Sequence, residues 1–415
     1  MTVALFPTTL DEIDFWDLDM FVDGDPHAAW SILRSEAPVW YHDRPGGESF
    51  WSIARYDDAR AVLGQARLFS SERDGIGLRD NVTLTAGQTM VGVNPMIHTD
   101  PPQHGPLRKV ISANFTPRAI GVLEDQVRSY ARTCLDEAAD KGEVDFVTDI
   151  AHRIPAAIAL SLLGVPEDQW DRMARLEHLI IAATDPEFAH GDDHHTASAE
   201  AGLELHMYFA ELVQRRMQDP GEDLLSQFLL GEVEGKKLPW EQVVAEAGLL
   251  LAGGLDTTRA AASAGAMLPL LQHPEQLRIL QDDLSLVPAA VEEFIRWGSP
   301  ILHEARTATE DVEFQGHHFQ EGDRVAIWSP SCNRDDTQFA DPFRYDIRRS
   351  PNRHLSFAYG EHFCLGAHLA RLTLKVEFEE LLSRFRSFEL TGQPSRVRSN
   401  FVGGLKHLPL ALTPK

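Results

Sequence analysis

Apolar positions recur every three or four residues through most of the chain. In Arg118–Lys141 the residues Ile120, Leu123, Val127, Tyr130, Ala131, Cys134, Leu135 and Ala138 fall on one helical stripe. Trp240–Leu271 is apolar over a much longer stretch and predicts a buried helix ending near Pro269. Val287–Trp297 predicts a third helix, stopped by Gly298 and Pro300, and Cys364–Arg386 a fourth. The other period appears only locally. Pro38–His42 and Phe50–Tyr56 read as strands rich in aromatic and β-branched residues. Beyond residue 300, Val312–Phe314, His318–Phe319 and Val325–Trp328 read as short strands punctuated by Gly316 and Gly322. Asn333–Asn352, with its Asp-Pro and Ser-Pro steps, reads as coil. No repeat or linker divides residues 1–415, so the expectation is one domain, mainly α with minor β.

Two stretches follow neither period. Asn81–Thr99 carries no charged side chain apart from a neutral-counted His98 and reads as a long lid-like loop facing apolar material. Thr184–Ser198 contains His-Gly-Asp-Asp-His-His (His190–His195), read as a solvated loop rather than a metal site.

Composition narrows the functional classes. The 415 residues include 38 Lys and Arg against 63 Asp and Glu, a net charge of −25. That excess of anion argues against nucleic-acid binding, which requires surplus cation. Only Cys134, Cys332 and Cys364 are present, too few for a disulfide scaffold or a cysteine-rich metal cluster. The N-terminus lacks a basic, then apolar, leader pattern. The most apolar uncharged runs, 154–166 and 260–272, fall short of the roughly 20 residues of a membrane span. The expectation is a cytoplasmic protein without a membrane anchor.

Four motifs carry chemistry. Cys364 lies in Phe-Ala-Tyr-Gly-Glu-His-Phe-Cys-Leu-Gly-Ala-His-Leu-Ala-Arg (Phe357–Arg371), just ahead of a helix. Free N–H groups there favour a thiolate, and Gly360 and Gly366 permit a tight turn and the approach of a flat group. Glu293 and Arg296 share a helix face and can pair. Ala252-Gly-Gly-Leu-Asp-Thr-Thr places two glycines inside the long helix, with the Thr257 hydroxyl in reach of the Gly253 carbonyl to open a local bulge. His104 and Arg108, in His98–Arg108, share a face of a starting helix and can donate to carboxylates. Taken singly, each has an ordinary structural reading: a buried cysteine, a surface ion pair, a close helix crossing, a helix start.

Together, in this order and spacing, they resemble the cytochrome P450 monooxygenases over almost the whole chain. The resemblance implies a triangular helical prism with small β-sheets and a haem b. It makes Cys364 the thiolate ligand, within a loop marked by Phe357, Gly360 and Gly366. It places His104, Arg108, Arg306 and His354 on the haem propionates and Gly253 over the haem face. It assigns Thr257 and Asp256 to proton delivery, and Glu293, Arg296 and Arg349 to bracing the cysteine loop. Around the substrate it places Leu249, Ala252, Ile301, Leu302, His303, Val402 and Leu405, the exception to an apolar lining being His303. The implied reaction inserts one atom of O2 into a C–H bond of a hydrophobic small molecule (steroid, terpenoid, branched lipid or polyketide). Electrons would come from NAD(P)H through a ferredoxin reductase and a ferredoxin to a monomer. Arg344, Arg348, Arg349 and Arg353, with Asp346 the one acid among them, give a local charge of +3 and a candidate ferredoxin dock, with Lys109 and Arg118 as further candidates. The rival readings are a haem-thiolate binding or sensor protein without turnover, and a peroxide-driven haem enzyme. The acid–threonine pair favours the monooxygenase.

Overall fold

Strands from the two ends of the chain meet in one five-stranded sheet. The computed structural model describes residues 5–78, 93–188 and 194–415. Val39–His42 runs antiparallel to Phe50–Ile53, which pairs in parallel with Arg324–Trp328; His303–Ala308 and Phe69–Ser70 follow, both antiparallel. Arg324–Trp328 is central and buried at every position, which explains its nearly continuous apolar run. Val312–Phe314 and His317–Phe319 close a hairpin over Gln315 and Gly316, both at positive φ. A second sheet joins Phe385–Leu390, Pro409–Pro414 and Glu143–Asp145.

Helices make up most of the rest, as the periodicity predicts. The 118–141 stripe is two helices, Pro117–Gly121 and Glu124–Lys141, with exposed Val122 at the break. The cysteine helix spans Ala367–Arg384, starting three residues after Cys364, and continues as strand rather than helix at Phe385.

The long helix departs most from expectation. Trp240–Ala260 is α-helical, Ala261–Met267 widens to a π-helix, and Leu268–Gln272 continues as α-helix past Pro269. A proline inside a helix strips a donor from the carbonyl four residues earlier. That carbonyl belongs to Gly265, and the Tyr345 hydroxyl donates to it at 3.2 Å. Gly265 also touches the helix Val287–Gly298, where a Cβ would overlap the Phe294 carbonyl. The hydrophobic core gathers around this rod, with a separate aromatic cluster of Phe15, Phe21, Trp30, Phe50 and Trp328 beside the sheet.

Among the described residues no helix is long and apolar enough to cross a membrane. Residues 81–92 of the expected lid and 189–193 of the histidine-rich loop lie outside the described residues. So do the side chains of His194 and His195.

Candidate active site

Between the long helix and the cysteine helix lies a cavity of about 270 Å³. Leu249, Leu250, Gly253, Gly254, Thr257 and Ala261 form one wall; Phe357, Cys364, Leu365, Gly366, Leu369 and Ala370 form the other. A Cβ at Gly253 or at Gly366 would meet nothing within 4 Å, so both glycines leave space open rather than relieve a clash. Gly360 is different. Its φ is +76, and a Cβ there would come 2.7 Å from the Leu63 carbonyl oxygen.

The cysteine side is tightly bonded. The Cys364 N–H donates to the Phe357 carbonyl at 2.9 Å. Burial pushes the Cys364 thiol up, against the Gly366 N–H and the Arg108 charge, which favour the thiolate. Cys134, buried away from the cavity, has no such donor, and burial pushes it up to about 12. Behind the loop, Glu293 takes two 2.7 Å bonds from fully buried Arg296, and Arg349 Nε approaches its Oε2 at 3.2 Å. Arg296 also donates to the carbonyls of Asn333 and Pro342, so this network ties the helix to the coil before the cysteine.

Cationic and donor groups collect at one edge. His104, Arg108, Arg306 and His362 all line the cavity, and Arg306 is paired with Glu304 at 3.0 Å. The His104 and His362 rings lie 4.0 Å apart. His362 Nε2 is buried with no protein hydrogen-bond partner. Burial, then the charges of Arg306, His104, Arg108 and His98, push its pKa down to about 2. An unpartnered buried nitrogen among cations needs an acceptor, and carboxylates supply one.

His354, expected on this edge, is elsewhere. Its side chain is buried 3.4 Å from Glu292 and does not line the cavity. His362 occupies the edge position instead. The signal available in the sequence was its place in the cysteine loop itself, two residues before Cys364.

On the opposite wall the Thr257 hydroxyl donates to the Gly253 carbonyl at 2.8 Å. The expected bulge is not there; the helix stays α-helical through Thr257 and widens one turn later. Asp256 departs from expectation as well. It does not line the cavity but faces a buried ion pair with Arg259 at 2.7 Å and the His178 ring at 3.3 Å. Burial would raise this carboxyl, yet Arg259 and His178 outweigh burial and hold it well below the usual range. Glu177, beside His178 and buried without a hydrogen-bond partner, is driven the other way by burial and by the Asp256 charge.

The expected substrate wall is partly displaced. Leu249 and Ile301 line the cavity; Ala252, Leu302, His303, Val402 and Leu405 do not. Val402 backs Ile301 through a β-bridge, and Leu302 packs on Gly403 and the aromatic cluster. The Leu405 carbonyl accepts from Arg259. His303 is a structural residue: its Nδ1 binds the Asn400 carbonyl at 2.8 Å and its Nε2 takes the Leu78 N–H at 3.2 Å. Ile76, Met96, Ile97 and Leu250, which sequence reasoning missed by name, are among the further apolar residues of the lining.

A sulfur on one wall, a hydroxyl on the other, open space between and donors at one edge fit a flat cofactor bearing carboxylates, the class of site an oxidative enzyme builds. The family described as Cytochrome P450 matches residues 38–411, and the chain belongs to it. Cytochrome P450 126 of Mycobacterium tuberculosis is 37% identical over 419 residues, covering 97% of this chain and 98% of its own. Linalool 8-monooxygenase of Pseudomonas putida is 34% identical, covering 98% and 100%. The structure of a Mycobacterium marinum cytochrome P450 in complex with pseudoionone superimposes with a TM-score of 0.89 at 32% identity, covering 99% and 100%. The protein is a cytochrome P450 monooxygenase whose cofactor is haem, bound in this family through a cysteine thiolate.

Proposed function

We propose that Cys364 is the thiolate ligand and that the edge donors His104, Arg108, Arg306 and His362 hold the haem carboxylates. The observation that carries this reading is that Cys364, in the loop ahead of its helix, and Thr257, on the long helix, line one cavity, with Gly366 and Gly253 leaving the space between them free. When bound through sulfur, haem supplies reductive activation of O2 and oxygen insertion into a C–H bond. Thr257 acts from the cavity wall. Its proton is directed at the Gly253 carbonyl, so its oxygen is left to accept from a cavity water. Asp256 acts from outside the wall. Its carboxylate, bonded to His178 and Arg259, relays protons toward Thr257 when it turns from Arg259. Glu293, Arg296 and Arg349 hold the cysteine loop in place.

The substrate is an uncharged branched terpenoid. Ile76, Met96, Leu249, Leu250 and Ile301 offer an apolar surface, and the linalool enzyme and the pseudoionone complex support this class. Electrons arrive from an acidic ferredoxin docked on the outer face of the cysteine loop. Tyr359 and Phe363 are exposed there, and Arg60 lies 4.5 Å from the Tyr359 ring. Exposed Arg353 takes the Tyr56 hydroxyl on its carbonyl, whereas Arg349 is turned inward. Arg60→Glu with Arg353→Glu should slow ferredoxin reduction several-fold at low salt and less at high salt; unchanged stopped-flow rates would remove this dock.

The central test is spectroscopic. Cys364→Ser should abolish the red-displaced absorption of the carbon-monoxide adduct. Thr257→Ala should keep that absorption while product formed per NAD(P)H falls several-fold; full product yield would strip the hydroxyl of its role.

A further inference from the structure

Glu292 and Glu293 are neighbours on the Val287–Gly298 helix with different partners. Glu293 turns inward to Arg296, whereas Glu292 grips Arg371 of the cysteine helix with two bonds, Nε to Oε1 at 2.6 Å and a terminal nitrogen to Oε2 at 2.9 Å. Held this way, the Arg371 guanidinium carbon lies 4.6 Å from the centre of the Phe357 ring. Phe357 is the residue whose carbonyl takes the Cys364 N–H, and its ring lines the cavity with the sulfur. His354 packs against both partners, 3.4 Å from Glu292 and with its ring 5.6 Å from that of Phe357.

The pair is a fixed dipole. Bidentate bonding to a carboxylate removes the freedom that makes most surface ion pairs weak. Burial would raise the Glu292 carboxyl, but Arg371 and His354 hold it at about 2, so it stays ionised. Burial lowers His354, which leaves the pair's two charges to dominate. The cation sits on the ring face; the anion sits behind it. The Arg371 charge favours the ionised sulfur.

We propose that the Glu292–Arg371 pair sets how strongly the Cys364 sulfur donates to the cofactor, with Arg371 withdrawing through the Phe357 face and Glu292 moderating it. This rests on Cys364 being the ligand. Groups around a metal-bound thiolate tune it by charge and hydrogen bonding. Both are positioning residues.

Opposite charges predict opposite shifts. In the haem-loaded protein, Glu292→Gln leaves the guanidinium unbalanced and should move the reduction potential to a more positive value. Arg371→Gln should move it to a more negative value, Arg371→Lys should restore most of the change, and the double Gln variant should return towards wild type. Arg384→Gln, on the same helix about 20 Å further along, should leave the potential where it is. Shifts of the same sign in both single variants, or no shift in either, would overturn the proposal. The carbon-monoxide spectrum keeps the two readings apart. A wild-type protein without the red-displaced band would overturn the ligand assignment. With that band present, the potentials alone judge the pair.

Discussion

On the cysteine side of the chamber polar groups are committed to one another. Glu293 answers Arg296, Arg349, the Asp346 N–H and the Asn352 amide, while Glu292 answers Arg371. On the threonine side the lining is apolar or glycine apart from Thr257 and Thr258. The Thr257 hydroxyl is committed to its own helix, and the charged groups of Asp256, Arg259 and His178 lie behind the wall. The difference teaches which side must be rigid. A ligating sulfur needs a fixed position, so its loop is held by buried ion pairs that are costly to break. A surface meeting a hydrophobic guest needs shape, which aliphatic side chains give and which tolerates substitution.

The largest effect should come from breaking the committed side. Arg296→Leu leaves Glu293 buried without its bidentate partner and should cost about 3–5 kcal/mol. Denaturation should show that loss, with little haem-loaded protein recovered; Leu249→Ala on the other wall should cost distinctly less.

A second test uses pH. Glu377, on the cysteine helix, is buried with no hydrogen-bond partner, and burial pushes it up to about 8. A carboxyl raised in the folded state supports the fold fully below its unfolded value of 4.5, and that support is lost as pH rises towards 8. Wild type should therefore weaken across this window by a few kcal/mol, roughly, and Glu377→Gln should flatten the decline. Parallel stability–pH curves for the two proteins would refute this.

The smallest effect sharpens the edge between the sides. His362→Ala should speed haem loss several-fold in a haem-transfer assay. His354→Phe should leave that rate near wild type, because His354 does not reach the chamber.

Much of the cysteine side was legible because its partners are close in sequence. The loop from Phe357 to Gly366 and the Glu293–Arg296 pair are local patterns, and Arg349 rather than exposed Arg348 meets Glu293. The misplacements of His354 and His303 had physical causes. Choosing His362 over His354 would have required knowing that the turn at Gly360, with its positive φ, lays the His362 ring on His104. Reading His303 as a cavity residue failed because strand His303–Ala308 is covered on both faces, so alternation could not say which way it pointed. Glu177 and His178 beside Asp256 were invisible because they depend on how the Trp170–Ile181 helix packs on the long helix, whereas Arg259, three residues after Asp256 on the same helix, is a local pair that was not read. Pro269 looked like a stop because a rescue by the distant Tyr345 hydroxyl leaves no local trace.

The Gly265 contact has a practical reach. Gly298 packs there with the two backbones touching, and the Val287–Gly298 helix carries both Glu292 and Glu293. Any bulk added at either glycine would pry the helices apart and drag the acidic anchors with them. Engineering that widens the chamber for larger guests should therefore recruit Leu249, Leu250 and Ile301 and treat this glycine seam as a keystone to leave alone.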